Sequence, residues 1–262
     1  MKRYSKLILK FIQLSAVEIV EYRSHFLFTL VGDLINSFIP ILFFGIVYSK
    51  VSSIMGWGLG EMYLLIATGL FLEAEEWFFY KGNLLYLPDM IKNGELDFRM
   101  IRPIDLQFLI SFYNFGLIAI GPVIPGLYLA IKGIGMMGLD HTAWRLVIYL
   151  TLLILGFVVH YCLILMMVSF SFFTVSLSNI SKLDGKLKDL ALNPIDIFPK
   201  RLKLAFMSFI PLAIFGSVPV MGFRSDSQWI YILLSTIIMI IFLTLSRKFF
   251  YFALRHYSSA SS

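Results

Sequence analysis

Residues 146–176 read LVIYLTLLILGFVVHYCLILMMVSFSFFTVS and contain no aspartate, glutamate, lysine or arginine. A helix needs about 20 predominantly apolar residues to cross the hydrocarbon core of a bilayer. A soluble core rarely requires an uncharged run of this length, because one face of each element normally meets water. This stretch therefore predicts a transmembrane helix and places the chain in a membrane.

Further apolar segments lie on both sides of this stretch. Together they predict an all-α polytopic membrane protein with six transmembrane helices. The predicted spans are residues 25–48, 60–80, 106–131, 146–176, 204–221 and 229–246. Three of them contain prolines, which spans tolerate when neighbouring helices bond the freed carbonyls. Residues 1–262 are interpreted as one transmembrane domain.

Residues 1–24 form an amphipathic segment ahead of the first span. One mainly apolar face recurs at helical spacing and comprises Leu7, Ile8, Phe11, Ile12, Ser15 and Ile19. The residues off that face are Lys6, Lys10, Gln13 and Glu21. This pattern predicts a helix that lies in the membrane interface.

The composition supports a membrane protein. The chain is 59% hydrophobic and 15% charged, whereas soluble domains carry about 25% charged residues. Its net charge of +6 would favour nucleic-acid binding in a soluble protein. Here the basic residues sit in short loops, so we predict a membrane orientation signal and no nucleic-acid partner.

The distribution of basic residues predicts the orientation. Most of the 22 lysines and arginines fall in the N-terminus, residues 81–105, residues 177–203 and the C-terminus. The opposite side holds Lys50, Lys132, Arg145 and Arg224. Because cytoplasmic loops carry the excess of basic residues, we expect both termini and both long loops in the cytoplasm.

Motifs for catalysis are missing from the sequence. The only Gly-Lys pair, Gly185-Lys186, lacks the spacing of a phosphate-binding P-loop. Cys162 is the single cysteine, and the four histidines form no zinc-binding pair. We therefore expect no enzyme activity, no metal and no cofactor in this chain, and we expect His160 to hydrogen-bond a neighbouring helix.

The loop after the second predicted span carries a recognisable pattern. Residues 91–103 read IKNGELDFRMIRP, and residues 56–62 read GWGLGEM. Residues 194–199 read PIDIFP, and the C-terminal segment from residue 254 reads LRHYSS. In the succession in which these four segments occur along the chain, the sequence resembles ABC-2-type permeases. It looks most like a subgroup of paired six-span permeases of bacterial ABC exporters.

The resemblance implies a transport subunit that works with other chains. Two ATPase subunits would bind ATP and Mg, and a second ABC-2-type permease would pair with this chain. That second permease is expected to be a paralogous chain rather than a second copy. The pair would export a small, cationic or amphipathic molecule, in contact with membrane lipid.

The resemblance also assigns residues 81–105 to coupling with the ATPase. A glycine permits a sharp turn, a proline ends any helix, and the charges face a partner. The implied coupling residues are Gly94, Glu95, Leu96, Asp97, Arg99, Arg102 and Pro103. The alternative is an ordinary solvated loop whose arginines contact lipid headgroups.

Acidic and amide side chains interrupt the first two predicted spans. Asp33 and Asn36 share one face of the first, and Glu73 and Glu76 share one face of the second. A carboxylate at the bilayer centre is costly, so we predict that these four residues line a translocation path. The alternative is structural: the carboxylates pair with Arg23, Lys10 or Lys81, or they mark a shorter span with a hydrated inner end.

Two other functions remain open from the sequence. An ion- or proton-coupled carrier that works without an ATPase could use Asp33 and Glu73 as a proton relay. A membrane scaffold without transport activity is the other. The presence of an ATPase partner separates the exporter from both.

Overall fold

The computed structural model describes residues 2–21, 23–138, 140, 142–174 and 179–257. Within these ranges the chain is helical and contains no strand, which confirms the all-α class. The α-helices are α1 (Lys2–Glu21), α2 (Arg23–Tyr48), α3 (Leu59–Phe79), α4 (Lys81–Leu85), α5 (Leu87–Lys92), α6 (Glu95–Met100), α7 (Leu106–Phe112), α8 (Val123–Met137), α9 (Thr142–Ser169), α10 (Ile180–Ala191), α11 (Lys200–Ser208), α12 (Leu212–Phe215), α13 (Ser217–Arg224) and α14 (Gln228–Leu254). Predictions for residues 1, 22, 175–178 and 258–262 fall outside the described residues.

Three helical segments among the described residues are long and apolar enough to cross a membrane. They are Leu27–Tyr48, Thr142–Phe172 and Gln228–Leu254. Each coincides with one of the predicted spans. The second is half buried inside the bundle, whereas the first is exposed along most of its length. Such an exposed apolar surface suits lipid or a second membrane chain.

Helix α3 forms the centre of the bundle and packs closely on α8. The two helices meet at Gly60 and Gly133. A Cβ atom on Gly133 would lie 2.6 Å from the carbonyl oxygen of Gly60, and the reverse distance is 2.8 Å. The backbones are therefore in direct contact, as at the small-residue crossings of membrane helices.

The third predicted span, residues 106–131, is not one helix. The chain forms α7, then a 3₁₀ turn at Leu117–Ile120, and then α8. Gly116 makes the break possible, because its amide bonds the carbonyl of Phe78 at 3.0 Å. A Cβ at Gly116 would lie 2.3 Å from the carbonyl oxygen of Trp77. The prediction of a continuous helix is wrong because tertiary contacts with α3 replace its helical hydrogen bonds.

Helix α10 crosses most of the bundle. Ile180, at its start, is buried in the cluster that holds Leu84 and Leu96 from the 81–105 segment. Asp196, just beyond its end, accepts a hydrogen bond from Nε1 of Trp57 at 2.9 Å. Trp57 lies just before the first residue of α3, whereas the 81–105 segment follows the last residue of α3. Residues 177–203 therefore do not form a loop at one end of the bundle, and that prediction is wrong.

The segment predicted as the fifth span, residues 204–221, does not cross the bundle. It consists of parts of α11, α12 and α13, which are separated at Pro211 and Gly216. Phe215 packs against Gly156 in the interior. Arg224 then lies over the Trp57 ring, with 5.0 Å between the guanidinium carbon and the ring centroid. The chain thus returns to the end that it left near Asp196 and forms a re-entrant hairpin.

The predicted apolar face of α1 packs against the bundle. Phe11 is buried beside Leu109 and Phe115, with Leu7 and Ile12 packed around them. The amphipathic pattern is confirmed as a packing face. A position in the membrane interface stays a prediction, and the side chain of Ile19 lies outside the described residues.

Candidate functional site

The 81–105 segment folds into three short helices, α4 to α6. Gly94 caps the start of α6 with φ of +72°, a left-handed conformation that favours glycine. Leu96 is fully buried beside Leu84, Leu87 and Met90. This anchor fixes the position of α6 against the helical bundle.

The outer surface of α6 is apolar. Phe98 is 70% exposed and Ile101 is 80% exposed, and Met100 lies beside them. Arg102 and Pro103 are also exposed. We call Phe98, Met100 and Ile101 the apolar tip. Large apolar side chains grouped on a surface mark a site that a partner or a membrane covers.

The charges of this segment are partly engaged within the chain. Glu95 accepts hydrogen bonds from the Tyr86 hydroxyl at 2.9 and 3.1 Å. The Arg99 guanidinium carbon lies 4.4 Å from the centroid of the Tyr113 ring. Glu95 and Arg99 thus have partners within the chain, whereas Arg102 is exposed. Contact of these charges with a second protein stays a prediction.

A network of ionisable side chains is largely buried between α3, α4, α9 and α10. Nζ of Lys81 lies 2.6 Å from Oε1 of Glu76 and 2.6 Å from Oδ2 of Asp184. Nζ of Lys188 lies 2.5 Å from the same oxygen of Glu76. Nε2 of His160 lies 3.0 Å from Oδ1 of Asp184. We call these five residues the buried network.

The buried network balances its own charge. Glu76, His160 and Asp184 each offer one ligand atom, and these atoms lie within 4.8 Å of one another. Carboxylate and imidazole ligands suit a transition metal. The ammonium groups of Lys81 and Lys188 already neutralise the two carboxylates at contact distance. The arrangement is therefore that of an ion network which fastens α10 to the bundle.

Comparison with protein families gives one finding. A family model described as "ABC-2 family transporter protein" matches residues 34–261. The chain belongs to this family. Comparison with curated proteins and with solved structures yields no match.

Membership of the ABC-2 family assigns a general role to the chain. It is a membrane-embedded protein of a transporter family whose members typically form the transmembrane part without an ATPase site of their own. An ABC ATPase is the general partner of such a chain. The long apolar helices of this ABC-2 protein agree with a place in the membrane.

The ABC-2 chain has a cavity of about 510 Å³ beside α3. Its lining comprises Thr29, Asp33, Glu73, Trp77, Gly116, Ala119 and Pro122. It therefore contains two carboxylates and one aromatic ring. Cations are attracted both by carboxylates and by the face of an indole ring.

The four residues predicted for a translocation path do not form a single site in the structure. Asp33 and Glu73 line this cavity. Asn36 is exposed and is not part of the lining. Glu76 is fully buried in the network, where it pairs with Lys81. The structural alternative is thus confirmed for Glu76. Of the other two cations considered as partners, Lys10 is exposed, and the side chain of Arg23 lies outside the described residues.

Sequence reasoning missed two members of the buried network. Asp184 and Lys188 stand four residues apart in a segment that was interpreted as a loop. Residues four positions apart lie on one face of a helix. This spacing was the signal from which the sequence could have indicated that the two residues belong to one site. His160 does hydrogen-bond a neighbouring helix, as predicted. Its partner could not be named, because α9 and α10 contact each other only in the fold.

Proposed function

We propose that this chain is the permease subunit of an ATP-driven exporter in the bacterial inner membrane. In this proposal it pairs with a second ABC-2 permease, a paralogous chain rather than a copy of itself. Two copies of a separate ATPase, which bind ATP and Mg, dock on the end of the bundle that holds α4 to α6. The observation that carries the proposal is the family match over residues 34–261.

The apolar tip supports α6 as the docking element. Leu96 anchors α6 in the core, and Glu95 and Arg99 are held by neighbouring tyrosines. A segment held in this way moves with the bundle, so it can transmit a displacement in either direction. Phe98 and Ile101, which are mostly exposed, would enter a cleft of the ATPase, with Arg102 at its rim.

The cavity beside α3 supports a cationic or amphipathic substrate. Asp33 and Glu73 supply negative charge and Trp77 supplies an aromatic face. No basic residue lines the cavity among the described part of the chain. A lipophilic cation would therefore gain both electrostatic attraction and apolar contact there.

Co-purification from native membranes tests the docking proposal. The chain is extracted in a mild detergent, and its companions are identified by mass spectrometry. We expect a P-loop ATPase and a second permease. The double variant Phe98→Ser/Ile101→Ser should lose the ATPase and keep the permease.

Phe209→Ser is the matched control. Phe209 is 84% exposed, but it belongs to the re-entrant hairpin and not to α6. This variant should retain the ATPase. Recovery of the wild-type chain without any nucleotide-binding chain would contradict the exporter and favour an ion-coupled carrier.

Dye efflux tests the substrate class. Glu73→Gln should slow ATP-dependent export of a lipophilic cation and leave export of a neutral dye unchanged. Asp189→Asn is the control, because Asp189 is exposed on α10 away from the cavity. Equal export of the cation by Glu73→Gln and wild type would remove the cavity from the substrate path.

A second candidate is a proton-coupled carrier without an ATPase. The specific observation in its favour is that Asp33 and Glu73 share one cavity, as a proton relay requires. Reconstitution of the chain alone in vesicles separates the two. Uptake driven by a pH gradient, without any ATPase, would favour the carrier.

A further inference from the structure

A groove of about 740 Å³ lies along the C-terminal half of α14. Its lining comprises Gln107, Leu243, Thr244, Arg247, Lys248, Tyr251, Phe252 and Arg255. None of these residues is acidic. The cavity of Asp33 and Glu73 and the buried network lie elsewhere in the fold, so the groove is a separate feature.

The groove concentrates positive charge. Arg247, Lys248 and Arg255 contribute three cations, and all three side chains are exposed. Helical spacing brings Lys248 and Arg255, seven positions apart, onto one face of α14. Of the three cations, Arg247 forms an ion pair with Asp105 at 2.7 Å. The groove therefore keeps an excess of positive charge.

Arg247 is held in a fixed position at the groove. Its Nη2 bonds Oδ2 of Asp105, and its Nη1 bonds Oε1 of Gln107 at 3.0 Å. The guanidinium carbon also lies 5.1 Å from the centroid of the Tyr251 ring. A guanidinium has five N–H donors, so these two bonds leave others for an anion. A group arranged in advance binds with a smaller loss of entropy.

The groove stands where an apolar helix becomes basic. Leu243 belongs to the uncharged part of α14, and the first cation follows at Arg247. Phe252 is 53% exposed beside the cations. A ligand that fits such a groove has an anionic head and an apolar tail.

We propose that this groove binds the phosphate headgroup of an anionic phospholipid. The phosphate oxygens accept hydrogen bonds from Arg247, Lys248 and Arg255, and the acyl chains lie along α14 near Leu243. Phosphate and basic side chains form charge-assisted hydrogen bonds, and basic pockets beside transmembrane helices suit such headgroups. This proposal does not depend on the exporter function.

Lipid retention by the purified protein tests the proposal. The chain is purified in detergent, mixed with phosphatidylglycerol and phosphatidylcholine at equal concentration, and examined by native mass spectrometry. We expect preferential retention of phosphatidylglycerol. Lys248→Gln and Arg255→Gln should each weaken that preference about fivefold, since a basic residue near an anionic surface gains roughly 1 kcal/mol.

Matched variants control for net charge and for folding. Lys182→Gln and Lys186→Gln remove exposed lysines on α10, outside the groove, and should leave the preference unchanged. The conservative variants Lys248→Arg and Arg255→Lys should keep it. If the glutamine variants fail to fold, weaker binding by the conservative pair would overturn the proposal.

Two further results would also overturn it. Displacement of phosphatidylglycerol by millimolar inorganic phosphate would indicate a site for free phosphate rather than for a lipid. The double variant Lys248→Gln/Arg255→Gln could retain lipid as the wild type does but lose a co-purifying ATPase. That result would assign the groove to a protein partner. Equal loss of preference in the α10 controls would show a response to net charge alone.

Discussion

Nε1 of Trp57 donates a hydrogen bond to Oδ2 of Asp196 at 2.9 Å, across 139 positions of the chain. Arg224 lies at the same carboxylate, with Nη2 3.8 Å from Oδ2. Trp57 precedes α3, Asp196 follows α10 and Arg224 ends α13. These three residues therefore fix one end of the bundle and show that residues near 196 have crossed to it.

The position of this contact predicts which loops share a side of the membrane. In a Cys162→Ala background, Ser52→Cys and Arg201→Cys should react from the same side with a membrane-impermeant maleimide. Lys92→Cys should react from the other side, because α6 lies at the opposite end of α3. The measurement is labelling of intact cells and of inverted vesicles. Joint labelling of Arg201→Cys and Lys92→Cys would contradict the crossing of α10.

The contact also predicts a dependence on pH. Burial raises the pKa of Asp196, but hydrogen bonds from Lys203 and Trp57 and the charges of Lys203 and Arg224 outweigh burial, and the pKa lies below its ordinary value. Its stabilisation is therefore present above the unfolded pKa of about 4 and is lost as the pH falls through the folded value.

Thermal unfolding in detergent measures this effect. The unfolding temperature of the wild type should fall between about pH 5 and pH 3 more steeply than that of Asp196→Asn. Asp189→Asn, on an exposed site of α10, should follow the wild type. Parallel curves for the wild type and Asp196→Asn would show that the carboxylate adds no stability.

The buried network predicts a large loss of stability when one member is removed. Lys81→Met leaves Glu76 and Asp184 short of one cation, and Lys81 itself is 4% exposed. Removal of one partner from a buried ion pair costs about 3–5 kcal/mol. We expect a clearly lower unfolding temperature and weaker protection of α10 from hydrogen exchange.

A compensating variant identifies the cause. Lys81→Met/Asp184→Asn removes one charge of each sign and should recover part of the loss. Lys182→Met, at an exposed position of α10, should be close to neutral. A double variant no more stable than Lys81→Met would mean that packing, and not charge, accounts for the loss.

The contact between α3 and α8 predicts a difference between two glycines of one helix. Gly133→Ala places a methyl group 2.6 Å from the carbonyl oxygen of Gly60, whereas Gly135 has open space around it. Overpacking costs about 1–3 kcal/mol, so Gly133→Ala should lower the unfolding temperature. Gly135→Ala should not, because alanine favours a helix. Equal effects of the two substitutions would argue against the close crossing.

The sequence by itself determined that the protein is helical, lies in a membrane and resembles the ABC-2 family. It could do so because lipid requires long uncharged helices, and residues 146–176 satisfy that requirement without any tertiary contact. Loop residues in a fixed order, such as 91–103, then carried the resemblance. Pairing of Glu76 with Lys81 was one of the structural alternatives that the sequence left open, and the structure contains that pair.

Only the tertiary structure decided the course of the chain between residues 177 and 224. Asp184 and Lys188 make α10 too polar for a hydropathy argument, and their partners Glu76, Lys81 and His160 come from distant segments. A polar residue inside a bundle is stable once it is paired, and that pairing exists only in the fold. For the same reason, the sequence predicted that Glu73 and Glu76 line one path. In the fold, Glu73 lines a cavity and Glu76 belongs to the buried network.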